Sequence, residues 1–163
     1  MKAAFLLLAF VPFALVGQAQ NLLPNRGFEA GTQHPEGWRL AEGAGEWVRA
    51  EPNATNRWLQ VRGDGDDTSI WRSDPLPLQP GGLYALRFRG RRLPGASGGT
   101  AVAGTGRLNR DFPLEANWRQ HRFVFRQPDV APDDFVRLGQ WHVKGAVEFD
   151  EAELLPVDRK SVV

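Results

Sequence analysis

No cysteine occurs in these 163 residues, so the chain has no disulfide, no thiolate nucleophile and no thiolate metal site. Lysine is nearly missing too: Lys2, Lys144 and Lys160 stand against many arginines, a bias that reads as base composition before binding. The formal net charge is only +1, which gives no electrostatic case for nucleic acid. Signatures of catalysis are equally sparse. His34, His121 and His142 sit on separate segments without a His-Glu-x-x-His spacing, and no Gly-x-Ser-x-Gly elbow exists. The glycine run Gly95 to Gly106 lacks the lysine of a phosphate loop. The abundant acids could still supply a glycosidase pair by chance, so an enzyme is disfavoured but not excluded. A helical period of useful length is also missing from the chain after its leader.

Both ends are expected to lie outside the domain. Lys2 precedes an apolar run, Ala3 to Val16, and Gly17-Gln18-Ala19 supplies the small residues of a cleavage site. Residues 1–19 therefore read as a secretory signal peptide. The run is too short for a span of about 20 residues and no later stretch comes close, so no membrane span is expected. The predicted location is secreted, extracellular or periplasmic. Residues 158–163, Asp158-Arg159-Lys160-Ser161-Val162-Val163, resemble the translation of a common sequencing-adapter sequence running into its stop codon. On that reading the natural chain continues past Val157, into a covalently linked catalytic domain; the alternative is an ordinary frayed tail. Setting aside Lys2 and the tail's net single positive charge leaves residues 20–157 at −1, near neutral.

What remains is enough for one domain that buries about two-thirds of its unfolded surface. Apolar residues at 42% and charged residues at 24% make it globular rather than disordered. Short candidate strands alternate with turn residues: Glu46 to Ala50, Arg57 to Arg62, an extended Thr68 to Leu78 broken by Pro75 and Pro77, Leu83 to Arg91, Thr100 to Val102, Trp118 to Gln127, Phe135 to Val143 and Ala146 to Leu155. The clearest follows the turn Gln79-Pro80-Gly81-Gly82, with Tyr84, Leu86 and Phe88 on one face and Arg87, Arg89 and Arg91 on the other. This pattern predicts an all-β, two-sheet antiparallel sandwich or barrel.

The stretch Asn21-Leu22-Leu23-Pro24-Asn25-Arg26-Gly27-Phe28-Glu29 opens the domain with a turn. Gly27 is expected to take a positive φ and Phe28 to plug inward. Its expected partner is the closing strand Val147-Glu148-Phe149-Asp150-Glu151-Ala152-Glu153-Leu154. If these ends pair, Glu29 and Asp150 can share a calcium ion, which wants six to eight hard oxygens; otherwise they are ordinary turn and strand-end carboxylates. The acidic loop Asp64-Gly65-Asp66-Asp67 lacks the glutamate of an EF-hand and reads as a solvated turn. For ligand binding, Trp71, Trp141, Arg87, Arg89, Arg137 and Gln140 supply aromatic faces and planar polar groups. Trp141 leads because alternation turns it and Arg137 away from Val136 and Leu138. If Arg87 and Arg89 lie in the same sheet, all four form one surface. Trp38, Trp47, Trp58 and Trp118 read as core or loop plugs, and any one arginine can equally be part of a solvated face.

The opening stretch with Pro35-Glu36-Gly37-Trp38, then Leu78-Gln79-Pro80-Gly81-Gly82-Leu83-Tyr84-Ala85-Leu86-Arg87-Phe88, then Val147 to Leu154, resembles in order the carbohydrate-binding modules appended to secreted cellulases and xylanases. The likeness covers nearly all of Asn21 to Pro156. It implies a galactose-binding-like jelly roll, binding to polysaccharide or oligosaccharide, and a structural calcium held by Glu29, Asp150 and carbonyls of the Glu51 to Arg57 loop. In that loop Pro52-Asn53-Ala54-Thr55-Asn56 departs from the family's more glycine-rich turn. The function implied is a non-catalytic module that tethers a glycan-degrading enzyme to its polymer. The alternative is a structural or adhesive sandwich of a cell-surface protein, without a sugar site.

Overall fold

A computed structural model describes residues 20–129 and 134–158; the expected signal peptide and all of the tail beyond Asp158 lie outside these residues. The described chain forms ten strands: β1 (Trp38–Glu42), β2 (Ala44–Arg49), β3 (Arg57–Asp64), β4 (Thr68–Ser73), β5 (Leu83–Arg92), β6 (Thr100–Thr105), β7 (Asn109–Phe112), β8 (Arg119–Arg126), β9 (Val136–Trp141) and β10 (Lys144–Pro156). They make two antiparallel five-stranded sheets, ordered β1-β4-β9-β6-β7 and β2-β3-β10-β5-β8. The all-β sandwich predicted from alternation is what forms, as a jelly roll.

Alternation fixes which face each strand buries. Tyr84, Leu86 and Phe88 of β5 are buried, as are Leu59 and Val61 of β3 and Val136 and Leu138 of β9. They meet Phe149 and Leu154 of β10 in one core, where Phe88 lies 5.7 Å from Phe149 and 5.0 Å from Phe112. The turn before β5 is closed by Gly82 N–H donating to the Gln79 carbonyl, with Gly81 at φ 67°. Pro75 and Pro77 end β4 at Ser73, and the chain continues as an extended connection with Leu76 bridged to Asp134.

The two chain ends do pair. Leu22 N–H donates to the Leu154 carbonyl, Ala152 N–H to the Arg26 carbonyl, and Leu154 N–H to Asn21 Oδ1. The opening turn is built differently from expectation: Asn25 and Phe28 take the positive φ, at 49° and 61°, and Gly27 does not. Asn25 can do so because its side chain replaces local backbone partners, accepting from Ala30 N–H and donating to the Ala30 and Glu36 carbonyls. Gly27 supplies room instead, since a Cβ there would collide with the Glu29 carboxylate. Phe28 is fully buried against Trp38, with ring centroids 5.2 Å apart. The indoles of Trp38 and Trp47 donate to the Pro24 and Phe28 carbonyls, so both tryptophans plug this turn.

Candidate functional site

The register of the second sheet lays a row of polar and aromatic groups on its outer face. Gln60 of β3 pairs with Glu148 of β10, which pairs with Arg91 of β5; one step along, Asp150 pairs with Arg89. Residues directly opposite share a face, so Trp58, two before Gln60, joins the same surface. Glu148 is almost fully buried and both of its oxygens are satisfied. Oε1 accepts from Gln60 Nε2 at 2.8 Å, and Oε2 accepts from Arg91 Nε at 2.6 Å. Held from below in this way, the Arg91 guanidinium lies 4.6 Å from the Trp118 ring and 5.8 Å from that of Trp58. The two indoles meet edge to face at 6.2 Å, and Arg89 approaches Trp118 at 5.6 Å. The result is a pair of half-buried indoles flanked by two guanidiniums. Beneath it, Trp58 Nε1 and Gln60 Oε1 have no hydrogen-bond partner among the described residues. A buried donor or acceptor left unmade costs about 1–3 kcal/mol.

The ligand residues expected from sequence are split between the two sheets. Arg87 and Arg89 stand on β5, whereas Trp141 and Arg137 stand on β9 of the other sheet, so the single surface expected of them does not form. Trp141 and Arg137 do share the outer face of their own sheet, both half-buried. Trp71 and Gln140 lie inside the sandwich. Trp71 is 5% exposed and donates its indole N–H to the Gln60 carbonyl. Gln140 is fully buried because strict alternation places it with Val136 and Leu138; its amide donates to Asp67 Oδ1 and its carbonyl accepts from Val143 N–H. Neither side chain can meet a ligand. Trp58 and Trp118, expected to be plugs, are instead the aromatic groups of the β5 face. For Trp58 the signal was present, because alternation already set it opposite Leu59 and Val61. Trp118 opens the candidate strand Trp118 to Gln127, and the same parity sets it on the face away from Phe123 and Phe125, although β8 itself begins one residue later, at Arg119.

The outer face of the first sheet carries a depression of about 170 Å³ lined by Ala41, Glu42, Ile70, Arg72, Phe135 and Arg137. Here Arg72 stacks on Phe135 at 3.5 Å, with Arg137 5.5 Å from the same ring.

At the joined ends Asp150 feels the charge of Glu29. Asp150 is 6% exposed, and burial pushes its carboxyl up to about 6, with the neighbouring charges of Glu151 and Glu29 adding to the rise. The Glu151 N–H bond to Asp150 Oδ1, 2.7 Å, and the Arg89 charge oppose it. Beside them β10 breaks register between Asp150 and Glu153, with Glu151 at φ 49°. Two carboxylates that feel each other's charge, one of them held out of water, are of the donor type that suits a hard cation such as calcium. No group of three or more acidic, histidine or cysteine side chains forms among the described residues, so carbonyls and water would have to complete the shell.

No known family profile matches this chain, and neither does any curated protein sequence. Solved structures do. The CBM22-1 xylan-binding domain of Paenibacillus barcinonensis Xyn10C superposes with a TM-score of 0.66 over 86% of this chain and 96% of its own, at 14% identity. The chain has the fold of a carbohydrate-binding module. A second such module, TmCBM61 solved with β-1,4-galactotriose, gives a TM-score of 0.56 over 85% of this chain and all of its own, at 19% identity. The enzymatically active domain of bacteriophage CBA120 tailspike protein 4 also superposes, with a TM-score of 0.61 and 12% identity over 84% of this chain. This chain spans only 21% of that longer tailspike chain.

Proposed function

We propose that this domain is a non-catalytic carbohydrate-binding module of a secreted protein, which tethers a glycan-degrading enzyme to polysaccharide. The observation that carries the reading is the Trp58–Trp118 pair with Arg89 and Arg91 on the outer face of the β5 sheet. An indole stacks on the apolar face of a sugar ring, and a guanidinium fork bonds adjacent hydroxyls. Glu148 and Gln60 fix Arg91, so little freedom is lost when a sugar arrives. A shallow site of this kind binds with dissociation constants of about 10 µM to 1 mM, roughly −7 to −4 kcal/mol.

Xylan and β-1,4-galactan are the first ligands to try, since they are the chemistries of the fold's neighbours. In affinity gels, the wild type is expected to be retarded by one of them and Trp118→Ala to run as in a blank gel with an unchanged melting temperature. A Trp118→Ala protein retarded like the wild type would remove this face from consideration. The link to a catalytic domain finds support in a xylanase from Clostridium thermocellum, solved with its CBM22-1 and GH10 modules together.

Calcium belongs to the same proposal. Glu29 and Asp150 would hold it, clamping the opening turn to the closing strand, with the remaining oxygens from carbonyls and water. Its role is structural: it would stabilise ionised Asp150 where burial disfavours that charge.

A further inference from the structure

We propose that the opposite face, on the β1-β4-β9 sheet, carries a second site that takes the carboxylate of an acidic sugar, a hexuronate, between Arg72 and Arg137. The register sets three arginines in one row across adjacent strands, Arg39 opposite Arg72 and Arg72 opposite Arg137. Like charges directly opposite one another destabilise a sheet, so such a row calls for a compensating anion. The protein supplies none at contact distance: among the described residues none of the three arginines has an ion pair within 4 Å.

Among the described residues, the two acids whose charge reaches Arg137 are Asp134 and Glu42. Asp134 directs Oδ1 to the Gly106 and Phe135 N–H groups and Oδ2 to Gln127 Nε2. Glu42 lines the depression and makes no ion pair among the described residues, which leaves it able to accept a sugar hydroxyl.

Both guanidiniums are already oriented. Arg72 lies flat on Phe135 at 3.5 Å, and Arg137 donates Nη2 to the Gly106 carbonyl at 2.8 Å. Each retains a buried Nε–H without a partner among the described residues. Two neighbouring forks with free donors match a planar carboxylate better than a point charge would. The depression measures about 170 Å³, of the order of the roughly 150 Å³ that takes one benzene ring, which suits one ring-sized group carrying a carboxylate. Burial pulls Arg137 below its ordinary pKa; the Asp134 and Glu42 charges oppose it, and the Arg72 charge adds a smaller pull downward.

This site is independent of the β5 face, and the test separates the two. Trigalacturonate and two neutral trisaccharides, α-1,4-galactotriose of the same linkage and β-1,4-galactotriose, are titrated into the ¹⁵N-labelled full chain at low salt. Trigalacturonate should shift the amides of residues 70–72, 106 and 135–137, and raising the salt tenfold should weaken it by at least tenfold. Arg72→Gln should lose this response while keeping any response of residues 58–60 and 118–120 to neutral glycan. If Arg72→Gln fails to fold, the wild-type shift map and Arg39→Gln, with an expected severalfold weakening, carry the decision. Trigalacturonate shifting only the 58–60 and 118–120 amides would overturn the second site. So would free sulfate binding as tightly as the uronate, or no shift at all.

Discussion

The two outer faces of this sandwich use the same residue type in opposite ways. On the β5 face every arginine beside the indoles has a carboxylate: Arg91 with Glu148 at 2.6 Å, Arg89 with Glu151 at 3.6 Å. Charge is neutralised there, and what is offered outward is aromatic surface with fixed donors. On the β9 face Arg72 and Arg137 stack on Phe135 with no carboxylate at contact distance among the described residues, and what is offered is positive charge. One face suits a neutral sugar ring, the other an anion. A row of arginines in a strand is therefore not a single feature; its meaning is set by the strand that lies next to it.

The largest expected effect comes from breaking the neutralised face. Glu148→Ala leaves Arg91 and Gln60 unpaired over a buried position. Removing one partner of a buried pair costs about 3–5 kcal/mol, and the lower end applies because the Arg91 side chain is 28% exposed. Thermal unfolding should show it, and Arg39→Ala on the other face should shift the curve very little.

Asp150 gives the next largest effect and carries a definite sign. Its carboxyl titrates near 6 in the folded chain against 3.8 for the ordinary group, so the protonated form is favoured by folding. That stability is fully present below pH 3.8 and is lost as pH rises through about 6, with the change of about 2 units worth about 3 kcal/mol. In chelator, Asp150 alone should therefore favour the fold at pH 5 over pH 7, and Asp150→Asn should flatten that difference. Calcium should reverse the preference, because it holds the ionised carboxylate; at one hundred times its dissociation constant it adds roughly 2.7 kcal/mol at pH 7. Melting curves unaffected by calcium and chelator at pH 7 would remove the metal from the account.

Smaller still is the difference between tryptophans. Trp58→Ala should weaken neutral-glycan binding about tenfold, or 1.4 kcal/mol, read by calorimetry, whereas Trp141→Ala should leave it within about twofold.

Much of this fold was legible in the sequence because alternation is a local signal. Leu59 and Val61, or Tyr84, Leu86 and Phe88, declare their face without reference to any other strand. The strands left out, β1 and β7, are the two edges of one sheet; they are short and, in Asn109-Arg110-Asp111-Phe112, almost wholly exposed, so apolar alternation never appears. The site was less legible, because alternation says which side a residue points to and not which sheet its strand joins. Arg87 and Trp141 were each rightly turned outward, but pairing at long range sends β5 and β9 to opposite sheets. Gln140 was misplaced for a simpler reason: it belongs with Val136 and Leu138 by parity, and its polarity hid that. Asp67 and the Val143 N–H, which satisfy it inside, come from loops no periodicity foretells.

Six indole N–H signals make the central claim directly measurable, since each tryptophan reports separately in one spectrum. On titrating the wild type with xylohexaose or β-1,4-galactotriose, the Trp58 and Trp118 indole signals should move together and saturably, while those of Trp71 and Trp141 stay in place. Movement of Trp141 with Trp58 and Trp118 unchanged would contradict the assignment of the sugar platform to the β5 face.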